Sequence, residues 1–263
     1  MTAGTATRLT TLAGQVARIS TSTTPPLSPL ALAERAGITP DPWQRDVLVS
    51  GAPRVLLNAS RQSGKSLVAA VLAVHSAITE GGLVLVLSPT LRQSQETFRK
   101  CLTLYAAAGQ LAAPEAETKL TLELQNGGRI VSLPGRDATV RGYSAVRLLV
   151  IDEASRVEDA LYLSARPMLA VSGGRIVALS TPFGRRGWWS QAWHSDEPWQ
   201  RVHVTAPQCP RISAAFLAEE ERTLGPWWFS QEYFGTFEDA QTSAFTYADV
   251  ARIFATEVEP WQL

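Results

Sequence analysis

The stretch "LLNASRQSGKSLVAAVLAVHSA", residues 56–77, decides how the rest of the chain is read. An apolar run leads into a short polar loop, and Gly64-Lys65-Ser66 then opens a long alternation of Ala, Val and Leu. Strand, loop and helix in that order make a phosphate cradle, because N–H groups of the loop and of the helix N-terminus point at the anion. The lysine of such a loop reaches the outer phosphates, and the hydroxyl after it holds Mg²⁺. Two features depart from the usual signature. Its first glycine, five residues before Gly64, is Ala59, and Arg61 stands in mid-loop. Ala59 is tolerable if the chain there stays in a backbone region open to L-residues. Ser60, Arg61, Gln62, Ser63, Gly64, Lys65 and Ser66 are therefore the candidate phosphate-binding set.

Outward from the loop, strands and helices alternate. "RVLLNA" (54–59) reads as a buried strand and 65–79 as a helix. "LVLVLS" (83–88) is apolar throughout, as a central parallel strand is. Residues 90–109 read as a helix, and "KLTLELQNGGRIVSLPG" as a hairpin about Asn126-Gly127-Gly128. "RLLVIDE" (147–153), "RIVALST" (175–181) and "QRVHVTA" (200–206) are three further strands. Upstream, "LSPLALAERAG" (27–37) is a short helix closed by Gly37. "DPWQRDVLVSG" is another, with Asp41 as N-cap and Pro42 at the first helical position. This alternation predicts an α/β fold with a mainly parallel β-sheet flanked by helices.

A second motif lies about 85 residues on. "LLVIDEAS" (148–155) is a buried strand delivering Asp152 and Glu153 at its tip. Asp152 suits the magnesium shell, and Glu153 suits polarisation of the attacking water. Both motifs fall at strand ends of one sheet, where such folds bind ligands. "ALSTPFG" (178–184) brings Ser180 and Thr181 to a neighbouring strand tip, where small hydroxyls can touch the γ-phosphate or the water. Gln44 precedes the loop by about 20 residues, and its amide can read the donor and acceptor of adenine's edge. Trp43 beside it reads better as core.

Composition narrows the class. The 263 residues fit one large domain or two small ones, and formal net charge is zero. Of 24 basic residues only three are Lys. Residues 129–186 hold nine Arg against five acids, while 216–263 hold nine acids against two Arg. A basic middle and an acidic end suggest different neighbours, or simply two solvated faces. Cys101 and Cys209 are far apart without a CxxC pattern and read as free thiols in a reducing compartment. No apolar run approaches the length of a membrane span.

The set "PWQRDVL", "SRQSGKS", "VLSPTLRQSQETF", "SLPGRDATVRGYSA", "LLVIDEAS", "LSTPFG" and "QEYFGTF" resembles the large subunit of the tailed-phage terminase, the ATP-driven DNA-packaging motor. The resemblance runs from about Asp41 to Phe237 and makes the loop arginine and the lost first glycine normal. It implies a P-loop NTPase core over 28–200 and a small C-terminal lid subdomain over 201–237, with "GPWWFSQEYFGTF" as hinge or plain core. It implies ATP and Mg²⁺ as ligands, with Arg61 on the γ-phosphate and Arg141 reaching a neighbouring subunit's nucleotide as an arginine finger. The implied partners are double-stranded DNA bound without sequence preference, other copies in a homo-oligomeric ring on a capsid portal, and a terminase small subunit. The implied setting is the cytoplasm of a bacterial host. Arg129, Arg136, Arg185 and Arg186 are candidate phosphate contacts for DNA.

The remaining segments are expected to be extensions. Residues 1–27, rich in Thr, Ala and Ser, read as a flexible arm. Residues 238–263 read as a linker toward a nuclease domain that this chain lacks, so DNA cleavage is not expected. Two other readings stay open. A two-lobed helicase shares the loop and the Asp-Glu pair but needs a second lobe. A nucleotide-binding remnant would keep the site and turn over poorly.

Overall fold

The computed structural model describes residues 27–135, 142–238 and residue 252. The expectations for residues 1–26, for Arg136 and Arg141, and for 239–263 apart from residue 252 lie outside the described residues. The chain enters through two short helices, α1 (Pro29–Arg35) and α2 (Pro42–Val49). Each has proline in its first turn, where an N–H would lack an intrahelical partner anyway. The Ala31 N–H donates to the Ser28 hydroxyl at 3.1 Å, capping α1. The Asp41 N–H donates to Gln44 Oε1 at 2.9 Å, half of a capping box on α2.

An eight-stranded sheet follows, in the order β3-β4-β5-β2-β6-β7-β1-β8. Its parallel members are β1 (Arg54–Ala59), β2 (Gly82–Ser88), β5 (Gly128–Pro134), β6 (Val146–Asp152), β7 (Arg175–Ser180) and β8 (Gln200–Val204). The hairpin about Asn126 adds β4 (Thr121–Leu124) antiparallel to β5, with Leu122 opposite Ile130. A strand absent from the sequence reading, β3 (Pro114–Glu117), pairs outside β4. All four of its residues are exposed, so it carries no apolar alternation to find.

The remaining helices are α3 (Lys65–Thr79), α4 (Leu91–Ala107), α5 (Asp159–Ala165), α6 (Gly187–His194) and α7 (Ala214–Phe234). Successive strand residues face opposite sides. Leu57, Val84, Val150 and Val177 pack with α3 and α4 in one core, and Leu56, Leu85, Leu149 and Ile176 pack with Tyr162, Trp188 and Trp189 in the other. α3 is buried nearly all round, which its small Ala side chains allow. Where its last turn crosses β5, a Cβ on Gly128 would stand 2.0 Å from the Ala77 carbonyl oxygen, so only glycine fits. Among the described residues no helix is long and apolar enough to cross a membrane.

β8 pairs with β1, so the sheet runs past residue 200, where the core was expected to end. Beyond it, α7 starts on Ser213, whose hydroxyl accepts from the Phe216 N–H. It breaks at Gly225 (φ 73°, ψ 165°) and Pro226, and closes on left-handed Gly235. A backbone at that φ favours glycine, and the proline cannot continue the hydrogen-bond ladder.

Candidate nucleotide site

Parallel pairing brings the motifs together. Asn58 lies opposite both Ser180 and His203, and Asp152 opposite Leu179, so β1, β6, β7 and β8 end on one edge. The loop leaving β1 is held by its backbone. The Ser60 N–H donates to the Val204 carbonyl at 2.9 Å, and the Ser63 hydroxyl to the Ser60 carbonyl at 2.8 Å. Gln62 (φ 59°) and Gly64 (φ 93°) are both left-handed. A Cβ at Gly64 would lie 2.7 Å from Gln44 Nε2. Ala59 needs no such freedom, since it ends β1 in extended backbone and its carbonyl accepts from Thr181 Oγ1 at 3.0 Å. This is why the missing first glycine does no harm here.

Lys65, buried at the start of α3, occupies the centre. Its Nζ stands 3.3 Å from Thr181 Oγ1 and 3.7 Å from Glu153 Oε1. Ser66 follows in the same turn, partly buried. Asp152 is only 4% exposed. Its Oδ2 accepts from Thr97 Oγ1 at 2.6 Å and its Oδ1 from the Glu153 N–H at 3.0 Å. Burial pushes its carboxyl above the usual carboxylate range, with Glu153 adding to the rise; the Thr97 hydrogen bond and Lys65 oppose it. Glu153 itself is left-handed at φ 52°, a sparse conformation for a residue with a side chain.

Ser180 departs from its expected role. Its hydroxyl accepts from the Ser155 N–H at 3.1 Å and contacts Ser155 Oγ at 2.8 Å, while Ser155 Oγ donates to the Thr181 carbonyl at 2.7 Å. It ties the loops after β6 and β7 together instead of facing Lys65, as Thr181 does. Gln44 departs too. It is 2% exposed, its Oε1 is engaged by the Asp41 N–H, and its Nε2 is buried without a partner beside Gly64. The acceptor half of the expected base-reading amide is thus already in use. Trp43 packs against the core. Arg129 pairs with Glu123 at 2.8 Å.

Arg61 is mostly exposed and paired. Its Nε lies 2.8 Å from Glu232 Oε2, and its N–H donates to the Glu232 carbonyl at 3.1 Å. Three participants escaped the sequence reading. Thr97 sits inside the segment read as a helix over 90–109, and Glu232 inside the stretch read as hinge or plain core. Arg211 sits in an irregular loop; it grips Asp41 with both Nη atoms at 2.9 and 2.7 Å and donates to the Ser63 carbonyl at 3.0 Å. No local pattern marks any of them.

Oxygen donors of this kind, one buried carboxylate and one hydroxyl, suit a hard cation that takes its other ligands from phosphates and water. Among the described residues no group of three His, Cys, Asp or Glu stands ready to hold a metal alone.

Residues 56–252 match the family described as terminase large subunit, T4likevirus-type, N-terminal. The chain belongs to that family. A curated relative, the terminase large subunit of Escherichia phage T5, is 27% identical over 204 residues, covering 72% of this chain and 46% of the relative. The chain thus spans about half of that relative's length. The large terminase ATPase domain of Thermus phage P74-26 superposes with a TM-score of 0.69 at 20% identity, over 78% of this chain and 96% of that one. A large terminase from a thermophilic bacteriophage, solved in complex with ADP, gives 0.61 at 12% identity, over 75% and 53%. At these identities the structural likeness is one of fold, and the fold is that of terminase ATPase domains.

Proposed function

We propose that this chain is the ATP-hydrolysing motor module of a phage DNA-packaging terminase, driving double-stranded DNA into a procapsid. The observation that carries the reading is the position of Lys65 Nζ, within 3.7 Å of Glu153 and 3.3 Å of Thr181, where phosphate loop, acidic pair and hydroxyl tip meet. The likeness to an ADP-bound large terminase supports it.

In this reading the loop N–H groups and Lys65 hold the β- and γ-phosphates of ATP, and Lys65 leaves Glu153 to do so. Glu153 then takes the proton side of the attacking water. Thr181 touches the γ-phosphate end and reports its loss through the Ala59 carbonyl at the root of the loop. Arg61 exchanges Glu232 for the γ-phosphate. Ser66 and Asp152 would hold Mg²⁺, partly through water, which supplies charge neutralisation on the phosphates. Arg141 acts on the ATP of a neighbouring copy in a ring seated on a capsid portal, fed by a small subunit, in the host cytoplasm. Residues 205–237 serve as the lid.

Steady-state Mg-ATPase of the wild type, Lys65→Ala and Glu153→Gln tests this, with and without duplex DNA. Lys65→Ala is expected to weaken ATP binding. Glu153→Gln is expected to keep binding and lose about 10²- to 10⁴-fold in turnover, as when a general base is removed. Wild-type turnover by Glu153→Gln would overturn the assignment.

A further inference from the structure

The loops after β6 and β7 carry a feature outside the nucleotide site. Arg156 ends the short turn that follows Glu153, and Phe183 and Arg186 follow Thr181. The guanidinium carbon of Arg156 lies 4.0 Å from the Phe183 ring centre, and that of Arg186 lies 4.2 Å from it. Both guanidinium groups therefore lie against the one Phe183 ring. Both arginines are exposed. Among the described residues neither has a carboxylate at ion-pair distance. Asp159, a few residues on, is engaged by the Trp188 N–H at 2.7 Å. Arg185 is held apart, its Nε donating to the Phe237 carbonyl.

A guanidinium flat on an aromatic ring is restrained in orientation while its N–H edge stays open to a second partner. Two such groups fixed on one ring repel each other, and an anion relieves that. We infer that Arg156 and Arg186, clamped on Phe183, are a docking point for the phosphodiester backbone of double-stranded DNA. The inference rests on the packaging function proposed above and adds where the DNA touches the motor. A phosphodiester fits better than the acidic run Glu219-Glu220-Glu221 of a second copy. The DNA charges are already fixed in space, whereas each glutamate would give up rotamer freedom on docking.

The position also gives the contact a route to the chemistry. Arg156 is three residues past Glu153, and Phe183 is two past Thr181. Ser155 fastens the two loops through Ser180 Oγ and the Thr181 carbonyl. A phosphate seated on this arginine pair therefore bears on the same tied body that positions Glu153 and Thr181.

The test is duplex binding by the whole chain across a salt series, for the wild type, Arg156→Gln with Arg186→Gln, and Arg156→Lys with Arg186→Lys. Each lost phosphate contact lowers the slope of log affinity against log salt by about 0.9, so the double Gln variant should lose about 1.8. The wild type's advantage over it should then shrink roughly tenfold between about 0.05 and 0.2 M salt. The Lys variant, which keeps the charges, should keep the slope. Unchanged ADP affinity and melting temperature check that the variants are folded. Duplex binding with the same slope in the Gln variant overturns this inference and leaves the packaging function standing. A change in self-association instead, read by sedimentation, marks a copy-to-copy interface and also overturns it. Absence of salt-dependent duplex binding by the wild type overturns it together with the DNA part of the proposed function.

Discussion

Arg61 is tied to Glu232 twice: its Nε lies 2.8 Å from Glu232 Oε2 and its backbone N–H donates to the Glu232 carbonyl. The phosphate loop and the second half of α7 therefore share one ion pair. An arginine that must reach a γ-phosphate has first to leave it. Glu232→Gln should raise affinity for ATP and leave affinity for ADP nearly unchanged, because ADP offers Arg61 no γ-phosphate. Arg61 is 63% exposed, so the pair is worth about 0.2–1 kcal/mol, up to roughly fivefold in affinity. Calorimetric titration with ADP and a slowly hydrolysed ATP analogue measures it. Equal shifts for both ligands would sever the pair from γ-phosphate binding.

Thr181 serves two partners, donating to the Ala59 carbonyl and accepting from Lys65. Thr181→Val keeps the shape and leaves a buried carbonyl unpaired, a loss of about 1–3 kcal/mol in stability. Turnover should fall with it, since Lys65 loses a positioning contact. Thr181→Ser should restore both. Thermal unfolding and ATPase rates on the pair of variants check this; no difference between Val and Ser would show that the hydroxyl is idle.

Asp152 gives a pH signature in the nucleotide-free protein. Its carboxyl is raised in the fold, chiefly by burial, so the fold favours the protonated form. That stability is present below the ordinary carboxylate range and is lost as pH rises through the raised value. Asp152→Asn has no such loss. Its melting temperature should exceed that of the wild type at neutral pH, and the gap should close on acidification. A gap that is constant with pH would contradict the burial argument.

Arg211 joins the start of α2 to the phosphate loop through Asp41 and the Ser63 carbonyl. A lysine cannot reproduce that fork. Arg211→Lys should weaken nucleotide binding while shifting the melting temperature little, the guanidinium being half exposed. Gly64→Ala should be worse on both counts, because it adds strain at φ 93° and a clash with Gln44. A nucleotide affinity of Arg211→Lys equal to that of the wild type would make the clamp incidental.

Both thiols are buried, and burial raises both above the ordinary thiol range, Cys101 to about 12. Reactivity needs the thiolate. Neither cysteine should react with a thiol reagent at pH 8 in the folded protein, and both should react after denaturation. Rapid labelling of Cys101 in the native chain would mean that α4 opens locally.

What the linear sequence carried was local. The 54–59 strand, the 65–79 helix and the Asp152-Glu153 strand tip were legible because hydrophobic period and loop chemistry are written in neighbouring residues. The adjacency of the motifs followed from parallel pairing, which alternation implies.

What folding alone decided was which side chain meets which across long separations. Ser180 and Thr181 look equivalent in sequence, yet the pleat sends one hydroxyl to Ser155 and the other to Lys65. Gln44 read as a free amide, but its own helix cap occupies the oxygen. Glu232 and Arg211 lie roughly 150 to 170 residues from their partners, in segments whose local pattern speaks only of packing or loop. The edge strand Pro114–Glu117 has no apolar face and exists only because β4 offers it a row of hydrogen bonds. Pairings of this kind are set by the geometry of the assembled sheet, and no window of neighbouring residues contains them.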